Sequence, residues 1–239
     1  MKTLKLSIIG AVLLALTTFS SCMMNCVHGS GVQAEEKRKV NDFTRINVAG
    51  GYKITLKQDS SLELNITADD NVLKYLRTTV DGDVLKISTR KNICAKNPIA
   101  IVIGVHNLEA IKGAGAIEVL SDGKLKVKDF DFNLSGASKV NLDMDANNVT
   151  TKGAGATELT LKGQAASHSV HLTGSGKLYA LDFVVGKYDV QTTGASECKI
   201  NVLTDLDVQT TGAAEISYKG NPAHVNSSKT GAADIKKID

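Results

Sequence analysis

His168 and His171 have the spacing of a metal-binding pair. On a strand, however, a separation of three sends the two side chains to opposite faces, so one ion cannot readily take both. His171 falls in line with Asn133, Gln191 and Gln209, and His168 with Phe130, Tyr188 and Leu206, which gives both a structural reading. Glu197, Glu215 and Asp234 recur three positions after a glycine in successive segments. Stacked at strand spacing, three carboxylates repel unless they are protonated, paired or bridged by a cation. They are therefore the weak metal candidates of this chain, with Lys199 and Lys236, two residues further on, offering ion pairing instead. Ser135, Ser138, Ser169 and Ser196 have no neighbouring His–acid arrangement that would make a nucleophile. No catalytic residue and no cofactor is expected.

The cysteines carry a different chemistry. Lys2 and Lys5 precede a 14-residue uncharged stretch, Leu6 to Phe19, and the small Ser20 and Ser21 then lead to Cys22. The stretch is shorter than the roughly 20 residues a spanning helix needs. The pattern resembles a bacterial lipoprotein signal, with residues 1–21 removed and Cys22 carrying the lipid; a plain secretory signal and a retained helix are the competing readings. Residues 22–39, small and polar and then charged from Glu35 to Lys39, read as a flexible tether. Of the 4 cysteines, Cys26, Cys94 and Cys198 would then remain. A Cys94–Cys198 disulfide is open in an oxidising envelope, but sequence cannot place the two close together. Cys198 sits among aliphatic residues and reads as a buried small hydrophobe.

Composition removes several function classes. With 28 Lys and Arg against 25 Asp and Glu, the net charge is only +3, which gives no broad electrostatic reason to bind nucleic acid. Trp is absent, so there is no indole platform for sugar stacking. Arg occurs only at Arg38, Arg45, Arg77 and Arg90, leaving residues 91–239 without the arginine base of a pectate-lyase-like enzyme. The reading is accordingly not an enzyme.

What must position these residues is a repeat. Glycine followed by small residues recurs at Gly113, Gly136, Gly153, Gly174, Gly194, Gly212 and Gly231, at intervals of 17 to 23 residues. A period near twenty signals stacked supersecondary units. Four positions after these glycines come Ile117, Val140, Thr157, Leu178, Cys198, Ile216 and Ile235, and apolar residues alternate with polar ones on either side. That alternation predicts strands with one buried face, and the glycines predict tight corners with positive φ. The expected fold is all-β, a single-stranded right-handed parallel β-helix (a solenoid) of about twenty-residue coils. Residues 40–239 form the domain, with 40–105 as N-terminal strands or cap and 106–239 as the glycine-cornered coils.

The segment Phe43-Thr44-Arg45-Ile46-Asn47-Val48-Ala49-Gly50-Gly51-Tyr52-Lys53-Ile54, followed by corners such as Leu134-Ser135-Gly136-Ala137-Ser138-Lys139-Val140, resembles the head GIN domain family of auto-transporter adhesins. The resemblance runs from about Val40 to Asp239. It implies a β-helical envelope protein, commonly lipid-anchored or secreted, with a suggested adhesive role and no catalytic residues to carry over. The expectation is a non-enzymatic, adhesin-like lipoprotein of the cell envelope, in the outer membrane, that presents polar ladders to polysaccharide or a surface protein. A structural lipoprotein without a specific ligand and a carbohydrate-active enzyme are the alternatives. Its open last strand leaves self-association available.

Overall fold

The computed structural model describes residues 25–239. The leader and Cys22 lie outside the described residues. Twelve strands and one short helix follow in chain order. β1 (Cys26–His28), β2 (Gln33–Lys39), β3 (Arg45–Gln58) and β4 (Glu63–Asp69) precede α1 (Asp70–Leu73). Next come β5 (Leu76–Asp81), β6 (Val84–Thr89), β7 (Asn92–Cys94), β8 (Ile99–Val105) and β9 (Ala110–Lys126). β10 (Asp129–Lys219), β11 (His224–Thr230) and β12 (Ala233–Lys237) complete the chain. The main sheet has ten strands along the path β11-β10-β9-β3-β8-β4-β2, with β12 on β10, and β6 on β3 and β5. β1 and β7 form a separate two-stranded sheet.

The all-β class is as expected, but the single-stranded right-handed parallel β-helix is not what the chain builds. β2 runs antiparallel to β4, β4 antiparallel to β8, and β5 antiparallel to β6, so the sheet is mixed. Period-two alternation reports which face is buried and is silent on strand direction. One direction was nevertheless written locally. β5 and β6 are joined by the two residues Gly82-Asp83, with Gly82 at φ +60°, a connection that only antiparallel strands can use.

The tether expectation also needs correction. From Cys26 onward the chain is part of the fold: β1 lies parallel to β7, and Cys26 is disulfide-bonded to Cys94. β2 pairs along its whole length with β4 from Gln33↔Asp69 to Lys39↔Glu63. Its Glu-Glu-Lys-Arg-Lys run reads as a solvated linker in sequence, yet alternate side chains are half-buried in an edge strand. Arg38 shows why. Its guanidinium donates to Glu36, to the Leu76 carbonyl and to Thr78, tying the edge strand to β5.

β3, β9 and β10 pair in parallel, with one register shift between Asn141 and Asp143. β3 pairs with β9 from Arg45↔Ala110 to Lys57↔Asp122, and β9 with β10 from Asp131↔Ala110. In this register Gly136 faces Gly115, and Gly115 faces Gly50. The positive-φ corners are therefore Gly50, Gly115, Gly136, Gly155, Gly174, Gly194, Gly212 and Gly231. Gly113 and Gly153 are not corners. Each lies two residues earlier and is buried, its side-chain space taken by neighbouring apolar side chains: a Cβ on Gly113 would meet Ile117 at 2.9 Å and Leu134 at 3.2 Å, and one on Gly153 would meet Leu172 at 2.8 Å. Both readings of Gly-Ala-Gly offer a glycine followed by a small residue, so the triplet alone does not say which glycine turns.

The shift realigns the core columns. Val119, not Ile117, stands opposite Val140, and Ile117 stands opposite Ser138. Inward slots carry Val119, Val140, Leu159, Leu178, Cys198 and Ile216, all essentially inaccessible to solvent. They join one continuous apolar core running from Phe43 to Ile216. At about 1.5–3 kcal/mol per buried aliphatic side chain, this column is a main source of cohesion between layers.

Candidate functional site

The corner glycines place one outward column of very small side chains along the molecule. One residue after each turn come Gly51, Ala116, Ala137, Ala156, Ser175, Ala195, Ala213 and Ala232, all exposed. They stack because the backbones do: a Cβ on Gly136 would stand 2.7 Å from the Gly115 carbonyl oxygen, and one on Gly155 2.7 Å from that of Gly136. The column floors a shallow groove with hollows of about 340 Å³ beside Ala137 and Ala156 and about 420 Å³ beside Ala195 and Ala213.

One bank of the groove is charged. Three residues after each corner stand Lys53, Glu118, Lys139, Glu158, Lys177, Glu197, Glu215 and Asp234. With the corners correctly placed, signs alternate through the first six positions, and acids follow one another only over the last three, Glu197, Glu215 and Asp234. Lys53 reaches Glu118 at 3.7 Å and Lys139 reaches Glu158 at 3.2 Å. Each such exposed pair contributes about 0–1 kcal/mol, so the ladder sets surface potential more than stability.

The three candidate metal ligands belong to this bank. Glu215 and Asp234 face each other across β10 and β12. Lys236 pairs with Glu215 at 2.7 Å, and Lys199 with Glu197 at 2.8 Å. The Tyr179 hydroxyl also donates to Glu197, at 3.1 Å. Lys199 chiefly, with Tyr179, holds the Glu197 carboxyl below its ordinary pKa against a smaller opposing effect of burial. Among the described residues no group of three or more His, Cys, Asp or Glu is placed to hold a metal ion. The opposite bank is uncharged over its last layers, where Gln191, Thr193, Gln209, Thr211, Ser228 and Thr230 border a hollow of about 200 Å³.

The histidines separate as a strand requires. His168 is buried, with Nε2 2.9 Å from the Thr151 hydroxyl and its ring against Phe183 and Tyr188. Burial pushes its pKa down to about 3. His171 lies between the core and the surface, on a neighbouring outward slot. Cys198 is buried and free, and burial pushes its thiol up to about 12. It does not pair with Cys94, whose partner is Cys26, 68 residues earlier.

Sequence reasoning also missed a cavity of about 480 Å³ where the corner column begins. Gly50, Gly51 and Tyr52 form one side, and Thr89, Asn92, Ile93, Asn97 and Pro98 wall the other. Nothing in spacing or composition joins these two segments. The pairing of β1 with β7 and the 26–94 disulfide hold the second wall in place.

The comparisons with known proteins agree with this architecture. The family described as "Putative auto-transporter adhesin, head GIN domain" matches residues 42–222. The chain belongs to the head GIN domain family. Crystal structures of other bacterial proteins share the fold. A "putative adhesin" from Bacteroides fragilis superposes with a TM-score of 0.83 at 22% identity, covering 89% of this chain and 100% of that one. A "putative adhesin" from Parabacteroides merdae gives 0.69 at 19%, over 90% and 100% of the two chains. A "putative lipid binding protein" from Parabacteroides distasonis gives 0.70 at 21%, with the same coverage. At these identities the likeness speaks for the fold alone. No curated protein matches the sequence.

Proposed function

We propose that this head GIN protein is a non-enzymatic, adhesin-like binding protein of the cell envelope that holds an extended polysaccharide along its corner groove. The observation that carries the reading is the exposed column of Gly, Ala and Ser from Gly51 to Ala232, lying beside the charge ladder and, over its last layers, the amide–hydroxyl bank. Small floor residues let a polymer approach the backbone, and repeated polar side chains supply many weak contacts at a spacing of about 4.8 Å per layer. Repetition then raises avidity without any one strong subsite. Lipidation of Cys22 tethers the protein to the outer membrane in this reading, and the 26–94 disulfide fits an exported location.

The lipid-binding description of the Parabacteroides distasonis neighbour finds less support in this chain. Its exposed large apolar side chains among the described residues are Val32, Leu203 and Val225, too few for an apolar patch of the size that lipid contact needs.

The test is a glycan array probed with the oxidised protein and with Ala195→Trp, which fills the groove floor from an exposed position. Binding by the parent and loss in the variant, with unchanged melting, supports the groove. No glycan bound, or binding indifferent to Ala195→Trp, refutes it. Release of a Cys22→Ala variant from the membrane fraction tests the anchor.

A further inference from the structure

The groove does not run off the molecule at its first layer. Gly51 pairs with Ala116, which pairs with Ala137, so the floor column continues to the cavity beside Gly50 and ends there. The segment from Asn92 to Pro98 stands across its end as a wall, fastened by the disulfide between Cys26 and Cys94.

The cavity differs in chemistry from the groove. None of its lining residues is charged, whereas the groove bank carries a charge in every layer. Thr89, Asn92 and Asn97 bring hydroxyl and amide groups, and Ile93 and Pro98 bring apolar surface. Tyr52 lines the cavity, and its hydroxyl is buried beside Thr89 without a hydrogen bond. A buried phenol in that state loses the hydrogen bond it had in water unless something supplied from outside pairs with it. Gly50 is required for this arrangement, since a Cβ there would stand 2.9 Å from the Tyr52 ring edge.

We infer that this cavity is a terminal subsite that receives one neutral, polyhydroxylated ring, the uncharged end residue of a polysaccharide chain. A peptide terminus or an acidic sugar would bring a charge that nothing in the lining neutralises, at a high desolvation cost. A neutral pyranose presents the right mixture: hydroxyls for Tyr52, Asn92 and Asn97, and an apolar ring face for Ile93 and Pro98. The volume is that of an ordinary small-ligand pocket. The inference rests on the groove reading for the rest of the chain, and it adds that the polymer is engaged by its end, in one direction.

The experiment is saturation-transfer NMR on the oxidised protein with glucose, galactose, mannose and N-acetylglucosamine as probes. At least one is expected to bind, with affinity falling about tenfold, or about 1.4 kcal/mol, in Tyr52→Phe. Removal of an unpartnered hydroxyl leaves the fold intact. Should Tyr52→Phe disturb folding, Asn97→Ala, on the exposed wall, provides the same readout. Binding of none of the four sugars, or indifference to the pocket substitution, overturns the subsite. Polysaccharide captured without any monosaccharide would sink the pocket and leave the groove standing. Monosaccharide bound at Tyr52 with no polymer retained would do the reverse.

Discussion

Gly194 lies over Gly174 so closely that a Cβ on the former would stand 2.5 Å from the carbonyl oxygen of the latter. Two requirements meet at this position, positive φ and the absence of a side chain. Gly123 isolates the first, because it also has positive φ, at 84°, but nothing lies within 4 Å of its absent Cβ. Gly123→Ala is expected to cost about 1–2 kcal/mol from the left-handed backbone alone. Gly194→Ala should cost at least about 2 kcal/mol more, since backbone of the layer beneath must move. Chemical denaturation of both variants measures the difference. Equal costs would show that the layers do not rest on one another at the corner.

Much of this stacking can be read from sequence, because identical slots recur. Val140, Leu178, Cys198 and Ile216 alternate with polar residues and are all buried. The turning glycine was harder to place in Gly113-Ala114-Gly115 and Gly153-Ala154-Gly155, where either glycine satisfies the local pattern. The buried Leu134 and Leu172 of the next layers decide it, and that is a tertiary fact. The two-residue offset hid Glu118 and Glu158 from the charge ladder and made Glu197, Glu215 and Asp234 look like an acidic column apart from it. Antiparallel pairing of β2 with β4 and β8, the 26–94 disulfide and the Tyr52 cavity involve contacts across tens of residues without a repeat to announce them.

His168 makes stability depend on acid. Its pKa is near 3 in the fold and about 6.5 in an unfolded chain, so between these values the unfolded state binds the extra proton. Its contribution is whole above about pH 6.5 and is lost as pH falls toward 3, at about 1.4 kcal/mol per pH unit. Between about pH 7 and pH 5 this side chain alone should withdraw roughly 2 kcal/mol. His168→Phe keeps a ring against Phe183 and Tyr188 but removes the titration. Denaturation at both pH values should therefore show a smaller acid loss in the variant by about that amount. Parallel pH profiles would mean that His168 is protonated in place without penalty.

Two lysines bear on whether another copy can pair with β11 and β12. β11 and β12 leave an open parallel edge, a ready template for pairing. In the register of that edge Lys229 stands opposite buried Thr210, and Lys237 opposite half-buried Tyr218, so charges occupy slots that the layer beneath gives to wholly or partly buried residues. A further layer would have to cover both ammonium groups, which is costly without partners. The double variant Lys229→Val, Lys237→Val should therefore associate with rising concentration where the parent does so less. Light scattering across a dilution series reads this directly, and identical masses for the two proteins would remove the lysines from the argument.

Cys26 and Cys94 close a loop that holds β1 against β7 and the cavity wall against the first layers. Cross-linking an interval of 68 residues restricts the unfolded chain by roughly 4 kcal/mol in the loop-entropy account. Cys26→Ser with Cys94→Ser should thus lower stability by about 2–4 kcal/mol. β10, β11 and β12 pair with neither β1 nor β7 and should keep their protection, while amides of 89–99 exchange faster. Hydrogen-exchange mass spectrometry separates the two regions. The same experiment carries a control in Cys198, whose buried, high-pKa thiol should stay unalkylated by iodoacetamide until the protein unfolds. Uniform loss of protection from β9 to β12 in the double variant would mean that the disulfide supports the whole stack rather than its first end.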